Sequence, residues 1–297
     1  VDATPDLVLR RKNTIALILI LIATIIWGSQ YILVKWAVDS IPPLLFQAIR
    51  HFIAFLAFLP VWGLFRKMDK ITFVGALLSA IVMSILVGFI TYGIQYTTSN
   101  KSAFLATMYV VFTPFVSYAM LKAKIKHNQI LAVTVAVIGM AFLIFGDSGS
   151  TDLEIAPNIG DLLVLIGAFF NAIQIVLIEK YVKHVNVFLF VMTQMILISI
   201  ILSLVAFIAG ERVDLGAVSG QTWGIILYLA ILGTTITLCI QTWAQNFIDS
   251  TRAALLYSLE PVFAIFFGVL LGGEKLTVAF GIGAFLIMVG ILWSSKK

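Results

Sequence analysis

Ten apolar runs, each ended by a short cluster of charge, proline or glycine, leave this 297-residue chain few ways to fold. A helix needs about 20 apolar residues to cross bilayer hydrocarbon. The runs fall at residues 15–37, 44–65, 71–96, 102–121, 129–146, 160–179, 187–209, 221–247, 252–271 and 277–294. Their side chains could not be covered from within: 61% of the residues are apolar and 11% charged, where soluble domains carry roughly a quarter charged. That balance excludes a soluble enzyme, a nucleic-acid binder and a disordered scaffold. The expectation is an all-α membrane protein of ten transmembrane helices. Its first run is too long for a removable signal peptide, so that span is expected to stay.

The +5 net charge then reports orientation rather than an acidic partner. With the N-terminus in the cytoplasm, 14 Lys and Arg fall in the inner loops and ends, against only Lys101, Arg212 and Lys275 outside. This asymmetry places both termini in the cytoplasm of a multi-pass protein of the bacterial plasma membrane. The single cysteine, Cys239, permits no intramolecular disulfide, and neither a cysteine metal motif nor a phosphate-binding GxxxxGK[ST] loop occurs. No cofactor is expected, and direct drive by ATP is not.

The two halves resemble one another. Span 4 reads Lys101-Ser102-Ala103-Phe104-Leu105 and then Thr113-Pro114; span 9 reads Arg252-Ala253-Ala254-Leu255-Leu256 and then Glu260-Pro261. Spans 5 and 10 share Ile138-Gly139 with Gly146, and Ile282-Gly283 with Gly290. Five is an odd number, so the second copy enters the membrane from the opposite side. Two inverted five-helix repeats, 1–146 and 160–297 joined by an external linker at 147–159, are the architecture of alternating access around a central cavity.

These residues carry a family resemblance. The run Ala253 to Phe263, followed by Leu271-Gly272-Gly273-Glu274-Lys275-Leu276-Thr277, resembles the second-half signature of EamA-type transporters of the drug/metabolite transporter superfamily. Trp27-Gly28 with Lys35, Arg50 after Pro42-Pro43, and Ser99 to Leu105 leading to Tyr109 through Pro114 agree with the first half. Two positions depart from the pattern: His127 stands where an acidic residue is common after span 4, and His51 where an aromatic one is usual. The resemblance covers nearly the whole chain and implies a ten-helix exporter, without fixing its substrate.

Polar residues in hydrocarbon turn towards partners, a cavity or water, and their spacing selects the face. Span 1 offers Trp27, Gln30 and Tyr31; span 3 Tyr92 and Gln95; span 4 Tyr109; span 6 Asn171 and Gln174; span 8 Gln241, Trp243 and Gln245; span 9 Tyr257. These twelve are the candidate substrate contacts, so spans 1, 3, 4, 6, 8 and 9 are expected to line the pathway. Spans 5 and 10 are expected at the periphery, their glycines serving helix packing. For each amide, interhelical bonding remains the competing role.

Of the Asp, Glu, Lys and Arg residues all but Lys35, Arg50 and Glu260 lie in loops or at span ends. Glu260 and Arg50 each lie roughly 12 Å from a span end, at 1.5 Å per residue, and are candidates for proton coupling or for recognising substrate charge. Glu260 could equally pair with Arg50 or Lys35. Pro114 and Pro261 are candidate hinges. The reading is a secondary exporter of small metabolites, amino acids or related amphipathic compounds, working as a monomer or weak dimer. A proton-coupled drug or organic-cation exporter is the alternative. An intramembrane enzyme lacks a nucleophile–base pair or a metal motif within the spans.

Overall fold

The computed structural model describes residues 5–97, 99–145, 158–272 and 278–294, and among them finds helices and no strand. Most of the linker at 147–159, Gly146, and the Gly273 to Thr277 part of the second-half signature lie outside the described residues. So does the side chain of Lys101.

In chain order the helices are α1 (Pro5–Val38), α2 (Pro43–Leu56), α3 (Lys70–Tyr96), α4 (Ser99–Thr107), α5 (Tyr109–Leu121) and α6 (His127–Phe145). Then come α7 (Ile159–Val182), α8 (Val187–Ile208), α9 (Gly220–Ala230), α10 (Thr237–Ala244), α11 (Ser250–Tyr257), α12 (Glu260–Gly272) and α13 (Val278–Ser294). Side chains set several starts by accepting an otherwise unpaired backbone N–H: Asp69 accepts from Thr72, Asn186 from Leu189, Ser219 from Thr222 and Asp249 from Arg252. Asn158 and Asp161 form a reciprocal capping box at α7.

Seven described helical stretches are long and apolar enough to cross a membrane, and a bent pair raises the number to eight. That pair is α2 with the 3₁₀ segment Leu59–Lys67, which turns by 83°. The straight span expected at 44–65 is therefore broken. The reason is Pro60, which has no N–H to donate and whose ring excludes the carbonyl four residues back, that of Leu56. Two further apolar stretches, His127–Phe142 and Gly281–Trp293, are shorter than that.

Breaks also divide the segments expected as spans 4 and 9. α11 ends at Tyr257, the residue whose carbonyl Pro261 leaves without its donor, so the proline explains that break. Pro114 behaves differently: it is carried inside α5, and the break falls before Tyr109.

Glycines let two helix pairs come close. A Cβ on Gly139 of α6 would stand 2.8 Å from the Gly283 carbonyl oxygen and 2.9 Å from the Ile287 nitrogen of α13. At the other end of this crossing, a Cβ on Gly290 would stand 2.8 Å from the Ala132 oxygen. α3 and α7 are joined likewise, with Gly160 and Gly93 backbone to backbone. Close small-residue crossings of this kind supply the packing that lipid does not drive.

Candidate functional site

A cavity of about 130 Å³, measured as space open to the centres of water molecules, sits among α1, α2, α3, α4, α5, α7, α10, α11, α12 and a π-helical turn at Ile231–Ile236. One water needs only about 10–15 Å³ on that measure. No described residue of α6, α8 or α13 lines it.

Ten of the candidates read from sequence meet here: Trp27, Gln30, Tyr31, Arg50, Tyr109, Asn171, Gln174, Gln241, Tyr257 and Glu260. The other seven lie elsewhere. Lys35 donates from Nζ to the Thr97 carbonyl, 3.2 Å away. Tyr92 donates its hydroxyl to Glu211, whose carboxylate also accepts from the Leu44 and Leu45 N–H groups and so caps α2. Gln95 lines a separate groove with Asp39 and Arg212. Trp243 packs on Phe247 with ring centroids 5.0 Å apart. Gln245 donates to the Ile175 carbonyl at 2.8 Å, an interhelical link. Pro114 and Pro261 are not among the lining residues.

Arg50 defines one end of the cavity. Its Nε donates to Thr234 Oγ1 at 2.7 Å, and its Nη2 to Gln30 Oε1 at 2.6 Å and to the Gly233 carbonyl at 3.1 Å. All three acceptors are neutral, and no described carboxylate pairs with it. The π turn makes this arrangement possible. An extra residue in the turn shifts bonding to five-residue steps, as Thr234 Oγ1 to the Leu229 carbonyl and Thr235 Oγ1 to the Ala230 carbonyl record. The Gly233 carbonyl accepts from both Arg50 Nη2 and Trp27 Nε1.

Glu260 defines the other end. It is buried, and its carboxylate accepts from the Tyr109 hydroxyl at 3.4 Å, with Tyr31 facing the same group. The alternative pairing of Glu260 with Arg50 or Lys35 is not formed: Arg50 bonds Thr234, Gln30 and the Gly233 carbonyl, and Lys35 the Thr97 carbonyl. Trp27 and Tyr257, ring centroids 5.2 Å apart and edge to face, enclose the space alongside.

The rest of the wall is rich in unused hydrogen-bonding groups. Gln174 is 1% exposed and both its amide atoms lack a partner, as does the buried Tyr257 hydroxyl. The Asn171 and Gln241 side chains line the cavity and have no hydrogen-bond partner among the described residues. A buried polar group left unpaired costs roughly 1–3 kcal/mol, so such a wall is built to meet polar groups that come from elsewhere.

Sequence reasoning missed α2 as a wall. Gln47, Arg50 and His51 stand three and one residues apart on one helical face, a polar stripe in an apolar helix that was the available signal. Gln47 Nε2 donates to Thr91 Oγ1 at 2.8 Å, tying α2 to α3. His51 Nδ1 lies 2.7 Å from the Gln47 carbonyl, which can only accept, so Nδ1 is the donor.

The model of the EamA-like transporter family matches twice, at residues 14–145 and 158–296. An uncharacterized transporter of Archaeoglobus fulgidus is 31% identical over 279 residues, 93% of this chain and 84% of that protein. The uncharacterized transporter YoaV of Bacillus subtilis is 28% identical over 281 residues, 93% and 95% of the two chains. The uncharacterized inner membrane transporter YedA of Escherichia coli K12 is 27% identical over 276 residues, 89% and 87%. A crystal structure 14% identical in sequence superposes with a TM-score of 0.75 over 95% of this chain and 96% of its own, a likeness of fold alone.

Proposed function

We propose, from the premise that this chain belongs to the EamA-like transporter family and is a multi-pass membrane transporter, that it exports amino acids or related amphipathic metabolites by alternating access. The observation that carries the substrate class is the cavity itself. It presents one buried guanidinium, Arg50, and one buried carboxyl group, Glu260, not paired with each other, in a wall that also carries unbonded amides and aromatic rings. Unpaired buried charges are costly. A solute with a carboxylate, an ammonium and an apolar side chain would satisfy both at once.

The proposed architecture is ten helices in two inverted repeats, 1–146 and 160–297. The double match of the family model supports it. So do the pairings α2 on α8, α6 on α13 and α5 on α11, each joining counterparts or neighbours across the halves. Residues 27, 30 and 35 of α1 recur in spacing as 171, 174 and 179 of α7, and Gln30 matches Gln174. The asymmetry of basic residues supports cytoplasmic termini in a bacterial inner membrane. The breaks before Tyr109 and after Tyr257 would let α4–α5 and α11–α12 flex, with Pro114 and Pro261 beside them.

Counterflow of labelled amino acids into proteoliposomes tests this reading. Saturable uptake stimulated by amino acid inside the vesicle is expected. No stimulated uptake across a broad amino-acid panel refutes it. The aromatic surround of Glu260 favours one second reading, a proton-coupled organic-cation exporter. That reading predicts cation uptake driven by a pH gradient and lost on Glu260→Gln.

A further inference from the structure

The guanidinium of Arg50 is oriented with unusual completeness for a residue that contacts no carboxylate. Nε and Nη2 are consumed by Thr234, Gln30 and the Gly233 carbonyl, acceptors on two other elements of the bundle. Among the described residues Nη1 has no hydrogen-bond partner, yet it is not sealed inside the protein with the unpartnered buried atoms, and Arg50 lines the cavity. Nη1 is the one nitrogen of this cavity-lining cation that the described residues leave unused.

We propose that Nη1 of Arg50 is a carboxylate-recognition point, aimed by the π turn of residues 231–236, and that it selects monoanionic carboxylates over their uncharged derivatives. This rests on the reading of the cavity as the transport site and assigns one end of the ligand within it. Gly233 and Thr234 act as positioning groups. The Gly233 carbonyl accepts from Nη2 while the Thr234 hydroxyl accepts from Nε, so two nitrogens of the guanidinium are tied to the π turn and its plane is held. A preoriented charged donor loses little freedom when a carboxylate arrives.

The charge inventory limits the anion. A phosphate dianion calls for several converging cations, whereas Lys35 is turned away to the Thr97 carbonyl and Glu260 opposes a second negative charge in the same cavity. One available amino group opposite a carboxylate suits a single negative charge. Val34, Ile90, Ile94 and Leu238 in the lining provide the surface for an apolar side chain.

Four probes of one shape separate the outcomes: L-phenylalanine, L-phenylalaninamide, phenethylamine and 3-phenylpropanoate, titrated into the purified full chain in nanodiscs. The two carboxylates are expected to bind at least tenfold more tightly than the amide and the amine. Arg50→Gln should abolish that preference. Thr234→Val, which leaves Arg50 in place, should reduce it. If Arg50→Gln does not fold, Arg50→Lys keeps the charge without the planar fork and should show a reduced preference; the wild-type ratio of acid to amide needs no variant. Equal affinity for phenylalanine and its amide, persistence of the preference in Arg50→Gln, or no binding of either carboxylate overturns the proposal. Binding of 3-phenylpropanoate without phenylalanine upholds the Arg50 point and instead refutes amino-acid transport.

Discussion

Thr234→Val is the most discriminating single change at the π turn. The Thr234 hydroxyl works twice, accepting from Arg50 Nε at 2.7 Å and donating to the Leu229 carbonyl at 2.9 Å. Valine keeps the shape and removes both bonds. A hydrogen bond to a charged group contributes about 1.5–3 kcal/mol and a neutral one about 0.5–1.5 kcal/mol. The added methyl offsets some of that loss, by roughly 0.8 kcal/mol, leaving a net destabilisation of about 2 kcal/mol. Thr235→Val is the matched control. Its hydroxyl also bonds in the π turn, donating to the Ala230 carbonyl at 3.0 Å and to the Ala54 carbonyl at 3.1 Å, but it touches no charge. Thermal unfolding in one detergent at one scan rate should therefore place Thr234→Val a few degrees below wild type and clearly below Thr235→Val, with Thr234→Ser between. Equal shifts for the two valine variants would refute the claim that Thr234 holds the Arg50 guanidinium.

Three further outcomes follow from the same geometry. Gly139→Val should destabilise by about 1–3 kcal/mol, because its Cβ meets backbone atoms of α13 that cannot rotate aside, while the substrate preference measured by counterflow stays unchanged. Gln174→Leu should leave thermal stability equal or higher, since it removes two buried unpartnered atoms, and should weaken transport; a clear loss of stability would reveal a structural bond. At the cap of α3 the Thr72 N–H holds the Asp69 carboxyl below its ordinary value. A depressed folded-state value contributes stability above the unfolded one and loses it as pH falls through the folded value. Asp69→Asn should therefore flatten the acid limb of the stability profile, and an unchanged limb would contradict the cap.

The parts of the site that sequence reveals are those fixed by a single helix. Trp27, Gln30 and Tyr31 share α1, and their face followed from spacing. The scarcity of charge singled out Arg50 and Glu260 directly. Where the reading fell short, a residue's neighbours came from other helices. Tyr92 is next to the lining residue Thr91, yet the rotation of one position turns it to Glu211. Gln245 continues the stripe of Gln241 one turn further and passes beyond the cavity to the Ile175 carbonyl. The π turn has no signature of its own, since Gly233 and Thr234 gain their roles only when Arg50 and Trp27 dock on them. Helix packing by Gly139 and Gly290 was legible because a small residue in an apolar span has few other uses.

The central claim is that the space between Arg50 and Glu260 holds the transported solute. An experimental structure of the chain with a bound amino acid tests it most directly. The account predicts ligand density in that cavity, its carboxylate on Arg50 Nη1 and its ammonium towards Glu260 and the Tyr31 and Tyr109 hydroxyls. An amino acid bound elsewhere, or Arg50 and Glu260 closed on each other in the bound state, would contradict it.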